Sequence, residues 1–213
     1  MRRHHEFACI VLLGVFTNIV CAQGPQSGDP GDGGGYPFAA ESRPCRNCGS
    51  VIPDFKGWTL AGSAPQDYTV GYVTNGLLIG SRLYGLISSK ADANGAGFGT
   101  IMQMISAVDY RGKRVRFSAL LRPHDVDSGA GLWFRVDAAD GKVLAFDNMQ
   151  SRPVLGTQEW KRYEVVVDVP EQGTRIAFGV LLIGKGKLGI DALQFEKVGR
   201  NVATTEDDGL PKS

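Results

Sequence analysis

Between Arg114 and Phe195 the chain is a succession of short segments in which apolar and polar side chains alternate, each closed by a turn signal. In Gly129–Asp137, Leu132, Phe134 and Val136 fall on one side, and Trp133, Arg135 and Asp137 on the other. A period of two puts successive side chains on opposite faces of an extended strand, so this segment predicts a half-buried antiparallel strand. Trp160–Asp168, Arg175–Ile183 and Leu188–Phe195 repeat the pattern, and 77–86, 100–106 and 113–122 are further strand candidates. Turns are expected at 109–112, 137–141, 170–173 and 184–187, with Gly141 supplying a positive φ. No long stretch carries a helical period. Short strands separated by Gly-bearing turns argue for an all-β sandwich or barrel rather than βαβ units, and their even spacing across about nine strands fits a jelly-roll β-sandwich.

The N-terminus reads as an export signal: Arg2 and Arg3 precede an apolar run from Ile10 to Val20, and Val20-Cys21-Ala22 fits a small-residue cleavage site. The run is about half the ~20 residues a membrane-spanning helix needs. Asn18-Ile19-Val20 is a poor match to lipoprotein processing at Cys21. The expected organisation is a signal peptide over 1–22, a Gly/Pro-rich disordered linker over 23–50, a folded unit over 51–198 and a polar, disordered tail over 199–213. After cleavage, 21 basic and 21 acidic residues remain. A neutral, exported chain has no excess of cations for binding nucleic acid, so a periplasmic or secreted protein with no nucleic-acid partner is expected. Cys45 and Cys48 form a Cys-x-x-Cys pair. An oxidising compartment favours a local disulfide or idle thiols over a redox pair. Zinc would need further ligands, and His124 is the one other candidate left.

Asp54-Phe55 with Gly57-Trp58, and Lys187-Leu-Gly-Ile-Asp191 running into Leu193, Phe195 and Glu196, resemble the first and last strands of galactose-binding-like jelly rolls, the fold of many carbohydrate-binding modules. Over 97–198 the chain resembles a small bacterial domain of uncertain function, found after signal peptides or fused to other modules and sometimes named as a transcription regulator. That resemblance is carried by Gly97-Phe98, Tyr110-Arg-Gly-Lys113, Gly131–Asp137, Phe146-Asp-Asn-Met149, Arg152-Pro153, Trp160 and Asp168-Val-Pro170. It implies a galactose-binding-like sandwich and a carbohydrate or other cell-envelope ligand. Many relatives hold a structural calcium with a Glu after the opening Phe. Lys56 stands there instead, which leaves Asp191 as a lone candidate ligand where calcium takes six to eight oxygens. No other cofactor is implied.

The candidate ligand residues are Trp133, Arg135 and Asp137 on the non-core face, with Asp147, Asn148 and Arg152 in the following loop. An indole can stack on a sugar ring while Arg and Asp take hydroxyls. The competing reading has Trp133 packed under a loop, Arg135 paired with Asp137 or Asp147, and Asp147 and Asn148 bonding their own backbone in a turn. Trp160 and Tyr163 are expected to cover the edge of the core. An enzyme is not expected. There is no Gly-x-Ser-x-Gly turn, Gly95–Gly99 lacks the Lys-Ser/Thr of a phosphate loop, and His124 sits in an Arg-Pro-His-Asp loop. Asp137, Asp147 and Asp191 allow carboxylate pairs for glycoside hydrolysis without placing them. The expected function is a non-catalytic exported binding module. The alternatives are a structural or protein-interaction domain and, third, an envelope hydrolase.

Overall fold

The computed structural model describes residues 57–74 and 83–205. The proposed signal peptide and linker, Cys45, Cys48 and Lys56, and the last part of the tail lie outside the described residues. Eleven strands follow one another: β1 (Thr59–Gly62), β2 (Tyr68–Thr74), β3 (Leu83–Ser89), β4 (Phe98–Ser106), β5 (Arg114–His124), β6 (Val126–Asp137), β7 (Val143–Asp147), β8 (Val154–Gly156), β9 (Lys161–Asp168), β10 (Arg175–Ile183) and β11 (Lys187–Val198). The alternating segments became β6, β9, β10 and β11 almost residue for residue. β7 completes the hairpin expected at 137–141, while β1, β2 and β8 are short or interrupted by small residues and carry no clear alternation.

The strands form two antiparallel sheets, one ordered β1-β4-β10-β6-β7 with β8 also on β6, the other β2-β3-β11-β5-β9. This is the all-β, two-sheet sandwich that the alternation predicted. The Asp137–Gly141 turn is as expected: Ala138 N–H donates to Lys142 O at 2.8 Å, and Gly141 has φ 86°.

The core follows from the period of two. Leu132, Phe134 and Val136 on β6, and Ile176, Phe178, Val180 and Leu182 on β10, face Val115, Phe117, Ala119 and Leu121 on β5 and Leu188 and Ile190 on β11. Four phenylalanines join the sheets: Phe178 and Phe195 lie with ring centroids 4.4 Å apart, Phe117 is 5.1 Å from Phe178, and Phe134 stacks on Phe195 at 5.7 Å. Burial of these side chains drives association of the layers, and the offset and edge-on ring contacts add to it.

At one end of the sandwich the Tyr68 hydroxyl bonds the carbonyls of Gly97 and Gly184, each at 2.8 Å. Burial, then the carboxylates of Asp67 and Asp127, push its pKa up to about 12. Along one side, residues 199–205 of the expected tail lie against the sandwich. Thr205 N–H donates to Val166 O at 2.9 Å, its Oγ1 accepts from Val166 N–H at 2.6 Å, and the hydroxyl donates to Asp147 Oδ2 at 2.6 Å. Val166 is on β9 and Asp147 on β7, so one threonine ties the edge strands of the two sheets.

Candidate functional site

Trp133, Arg135 and Asp137 do share the face of β6 that points away from the core, but that face is closed. Trp133 is only 4% exposed. Its indole N–H donates to Thr100 Oγ1 at 2.8 Å, and Thr100 in turn donates to Val180 O at 2.8 Å. Because β10 lies between β6 and β4, the indole spans a whole strand. The strand it crosses carries Gly179, paired with both Trp133 and Met102, where a Cβ would fall 2.3 Å from Ile101 O of β4. Arg135 Nη2 donates to Asp137 Oδ2 at 2.9 Å, with Nε 2.9 Å from Oδ1; Asp137 is buried and Arg135 nearly so. Two opposite charges side by side on one strand neutralise each other where neither could be buried alone. The half-open groove expected here is therefore replaced by a packed indole and an internal ion pair.

Asp147 lies on the opposite face. It pairs with Phe134, which points into the core, and it is fully buried. Oδ1 accepts Met149 N–H at 2.9 Å, and Oδ2 accepts Arg152 Nη2 at 2.6 Å besides the Thr205 hydroxyl. Asn148 Oδ1 accepts Gln150 N–H at 3.1 Å. Both residues thus bond their own backbone two positions on, the turn chemistry weighed in the sequence. Of the six expected ligand residues, Trp133, Arg135 and Asp137 share one face, Asp147 lies on the other, and Asn148 and Arg152 are in the turn after it, so the six form no single site.

The other sheet carries an aromatic pair that the sequence reading did not find. On β11, Leu188 and Ile190 enter the core and Gly189 between them faces outward, paired with Leu86 on β3 and Arg122 on β5. A Cβ on Gly189 would lie 2.9 Å from Trp160 Cη2 and 3.3 Å from Tyr84 Cε2. The two rings meet above it edge to face, with centroids 5.1 Å apart at 83°. Trp160 immediately precedes β9 and Tyr84 belongs to β3, so they reach toward each other over β5 and β11. Of the two residues expected at the core edge, Tyr163 packs there, its pKa raised by burial, while Trp160 joins this outer pair. The one sequence signal was a glycine between two core residues, a position where something must approach the backbone closely.

Polar groups run along the same face, away from the pair. Arg162 Nη1 donates to Ser118 Oγ at 3.1 Å and Gln194 Oε1 at 3.3 Å. Arg122 Nη2 reaches Glu159 Oε1 at 3.4 Å. Arg116 bonds Glu196 at 2.8 Å and lies 3.6 Å from Glu164; its hydrogen bond to Glu196 raises its pKa. At the sheet margin, Arg114 bonds both oxygens of Asp168 at 2.8 Å, which lowers the carboxyl pKa. Asp191 is also on this face, in register with Leu120, and its Oδ1 accepts Ala192 N–H at 2.7 Å. Among the described residues no group of three or more His, Cys, Asp or Glu is arranged to hold a metal ion.

No family model matches the chain. A curated relative from Bacillus subtilis (strain 168), named uncharacterized HTH-type transcriptional regulator YbfP, is 40% identical over 150 residues, which is 70% of this chain and 50% of the relative. The chain thus spans half the length of that relative. Among solved structures, the CBM22-1 xylan-binding domain from Paenibacillus barcinonensis Xyn10C is 16% identical, covering 68% of this chain and 87% of that one at a TM-score of 0.46. The C-terminal family 22 carbohydrate binding module of Clostridium thermocellum Xyn10B is 13% identical, covering 70% and 90% at 0.46. The enzymatically active domain of bacteriophage CBA120 tailspike protein 4 is 16% identical, covering 67% and 20% at 0.49. Such identities say nothing of ligand.

Proposed function

We propose that this chain is a non-catalytic, exported binding module for a cell-envelope carbohydrate, and that the sugar rests on the outer face of the five-stranded sheet. The observation that carries this reading is the half-buried Tyr84–Trp160 pair above Gly189. A sugar ring has an apolar C–H face and a rim of hydroxyls. Tyr and Trp offer a rigid apolar surface with a polar end, and such anchors dominate binding energies. Arg122, in register with Gly189, stands beside them to take hydroxyls, and Arg162 and Gln194 lie further along the same face. The export signal read in the sequence over residues 1–22 supports a site of action outside the cytoplasm, and no helix of the described residues is long and apolar enough to cross a membrane.

The carboxylates support a non-catalytic role. Asp137 and Asp147 lie on opposite faces of one sheet, each engaged by an arginine, and Asp191 lies on the other sheet. No two of these three can flank one glycosidic bond. A second reading is favoured by the half-length match to the Bacillus relative: the same module could serve as the ligand-sensing part of a longer regulator. The described residues form strands and short 3-10 turns with no α-helix, so a DNA-reading helix would have to come from elsewhere.

A glycan array with the wild type, Tyr84→Ala and Trp160→Ala tests the proposal. Binding to one glycan class is expected, lost in both variants while their melting temperatures stay near that of the wild type. No glycan above background would overturn it.

A further inference from the structure

We propose that this surface selects an acidic polysaccharide, with the guanidinium of Arg162 reading a uronic-acid carboxylate; the inference rests on the binding reading above. The charges on the face motivate it. Glu196 and Glu164 lie on Arg116, Asp168 on Arg114, and Glu159 on Arg122. Asp191 accepts the N–H of Ala192 and stands across Leu120 from the position of Arg162. Arg162 differs from the other arginines of the face. Its hydrogen bonds go to two neutral groups, Ser118 and Gln194, both through Nη1, and no carboxylate pairs with it among the described residues. The Ser118 and Gln194 contacts fix the guanidinium over β5 and leave its Nε–Nη2 edge without a hydrogen bond among the described residues. That edge offers two parallel donors, the geometry that matches a planar carboxylate.

Spacing adds a length requirement. Gly189, beneath the aromatic pair, is paired with Arg122, and Arg162 is anchored at Ser118, four residues away on the same strand. At ~3.4 Å per residue the two points are about 14 Å apart, more than one pyranose ring can bridge. The ligand is therefore an oligosaccharide, with one sugar on the aromatic pair and a carboxylate further along the chain at Arg162.

Calorimetric titration with a hexamer of α-1,4-linked galacturonic acid, and with the same hexamer fully methyl-esterified, tests this on the full chain. The wild type is expected to bind the acid roughly tenfold to a hundredfold more tightly than the ester, the range of a charge-assisted hydrogen-bond pair. The preference should shrink with added salt, and galacturonic acid monomer should bind far more weakly. Arg162→Gln should bring the acid and the ester level. Equal wild-type binding of acid and ester, or binding of neutral glycans with neither hexamer bound, overturns the acidic selectivity and leaves the binding module standing. A preference that survives Arg162→Gln overturns the assignment to Arg162. If no glycan of any kind binds, the proposed function fails and this inference with it. Should Arg162→Gln fail to fold, the wild-type comparison still decides the selectivity.

Discussion

The indole N–H of Trp133 donates to Thr100 Oγ1 across an intervening strand, at 2.8 Å. This bond turns an outward-facing tryptophan into a structural one. Trp133→Ala should therefore cost about 3–5 kcal/mol, as much as Phe134→Ala, since both side chains are buried. Thr100→Val keeps the shape but leaves a buried indole N–H without its acceptor, and should cost about 1–3 kcal/mol. Thermal and urea melts of the three variants check this. A mild Trp133→Ala would mean that the face is open.

Gly189 holds the Tyr84–Trp160 pair by what it lacks. In Gly189→Ala the new methyl meets the tip of the Trp160 ring at 2.9 Å, and the ring, the end of a flexible side chain, gives way. Glycan binding should fall by about tenfold or more, as expected when a central aromatic anchor is displaced. The melting temperature should move little. Binding isotherms and melts on one preparation separate the two effects.

Tyr68 gives the fold a specific alkaline weakness. Its phenol is held protonated well above its ordinary value of 10.0, up to about 12, by burial first and by Asp67 and Asp127 next. Because the folded pKa exceeds the unfolded one, the associated stability is fully present below pH 10.0 and is lost as pH climbs toward about 12. The difference in stability between wild type and Tyr68→Phe, measured by urea melts across that window, should narrow as pH rises. A difference independent of pH would contradict the account.

Thr205 joins Asp147 to Val166 and so closes one side of the sandwich. Thr205→Val removes the hydroxyl bonds and leaves the buried Asp147 short of a donor, for an expected loss of about 1–3 kcal/mol. Truncation after Val198 should cost at least as much. Equal melting of wild type and Thr205→Val would show the contact to be dispensable.

The strands were legible where alternation is local. Leu132, Phe134 and Val136 sort themselves from Trp133, Arg135 and Asp137 by period alone, whatever lies beside them. The side on which Asp147 falls was not legible. It depends on how β7 registers on β6, and that ladder shifts between Val136 and Asp137; a shift of one residue exchanges the faces. Nor does periodicity reveal that the outward face at Trp133 is closed, because the hydrogen bond to Thr100 joins residues 33 apart in sequence. The Tyr84–Trp160 pair needs β3, β11, β5 and β9 assembled in order before its members meet, and no local pattern carries that order.

The central claim is that sugar binds over Gly189 and not over the buried Trp133. The chain has three tryptophans, Trp58, Trp133 and Trp160, so a proton–nitrogen correlation spectrum has three indole N–H signals, assignable by Trp→Phe variants. Titration with the strongest glycan from the array should shift the Trp160 signal progressively and leave the Trp133 signal in place, since its N–H is already bonded inside the sheet. A shift of Trp133 with Trp160 unmoved would contradict the account and move the site to the other face of the sandwich.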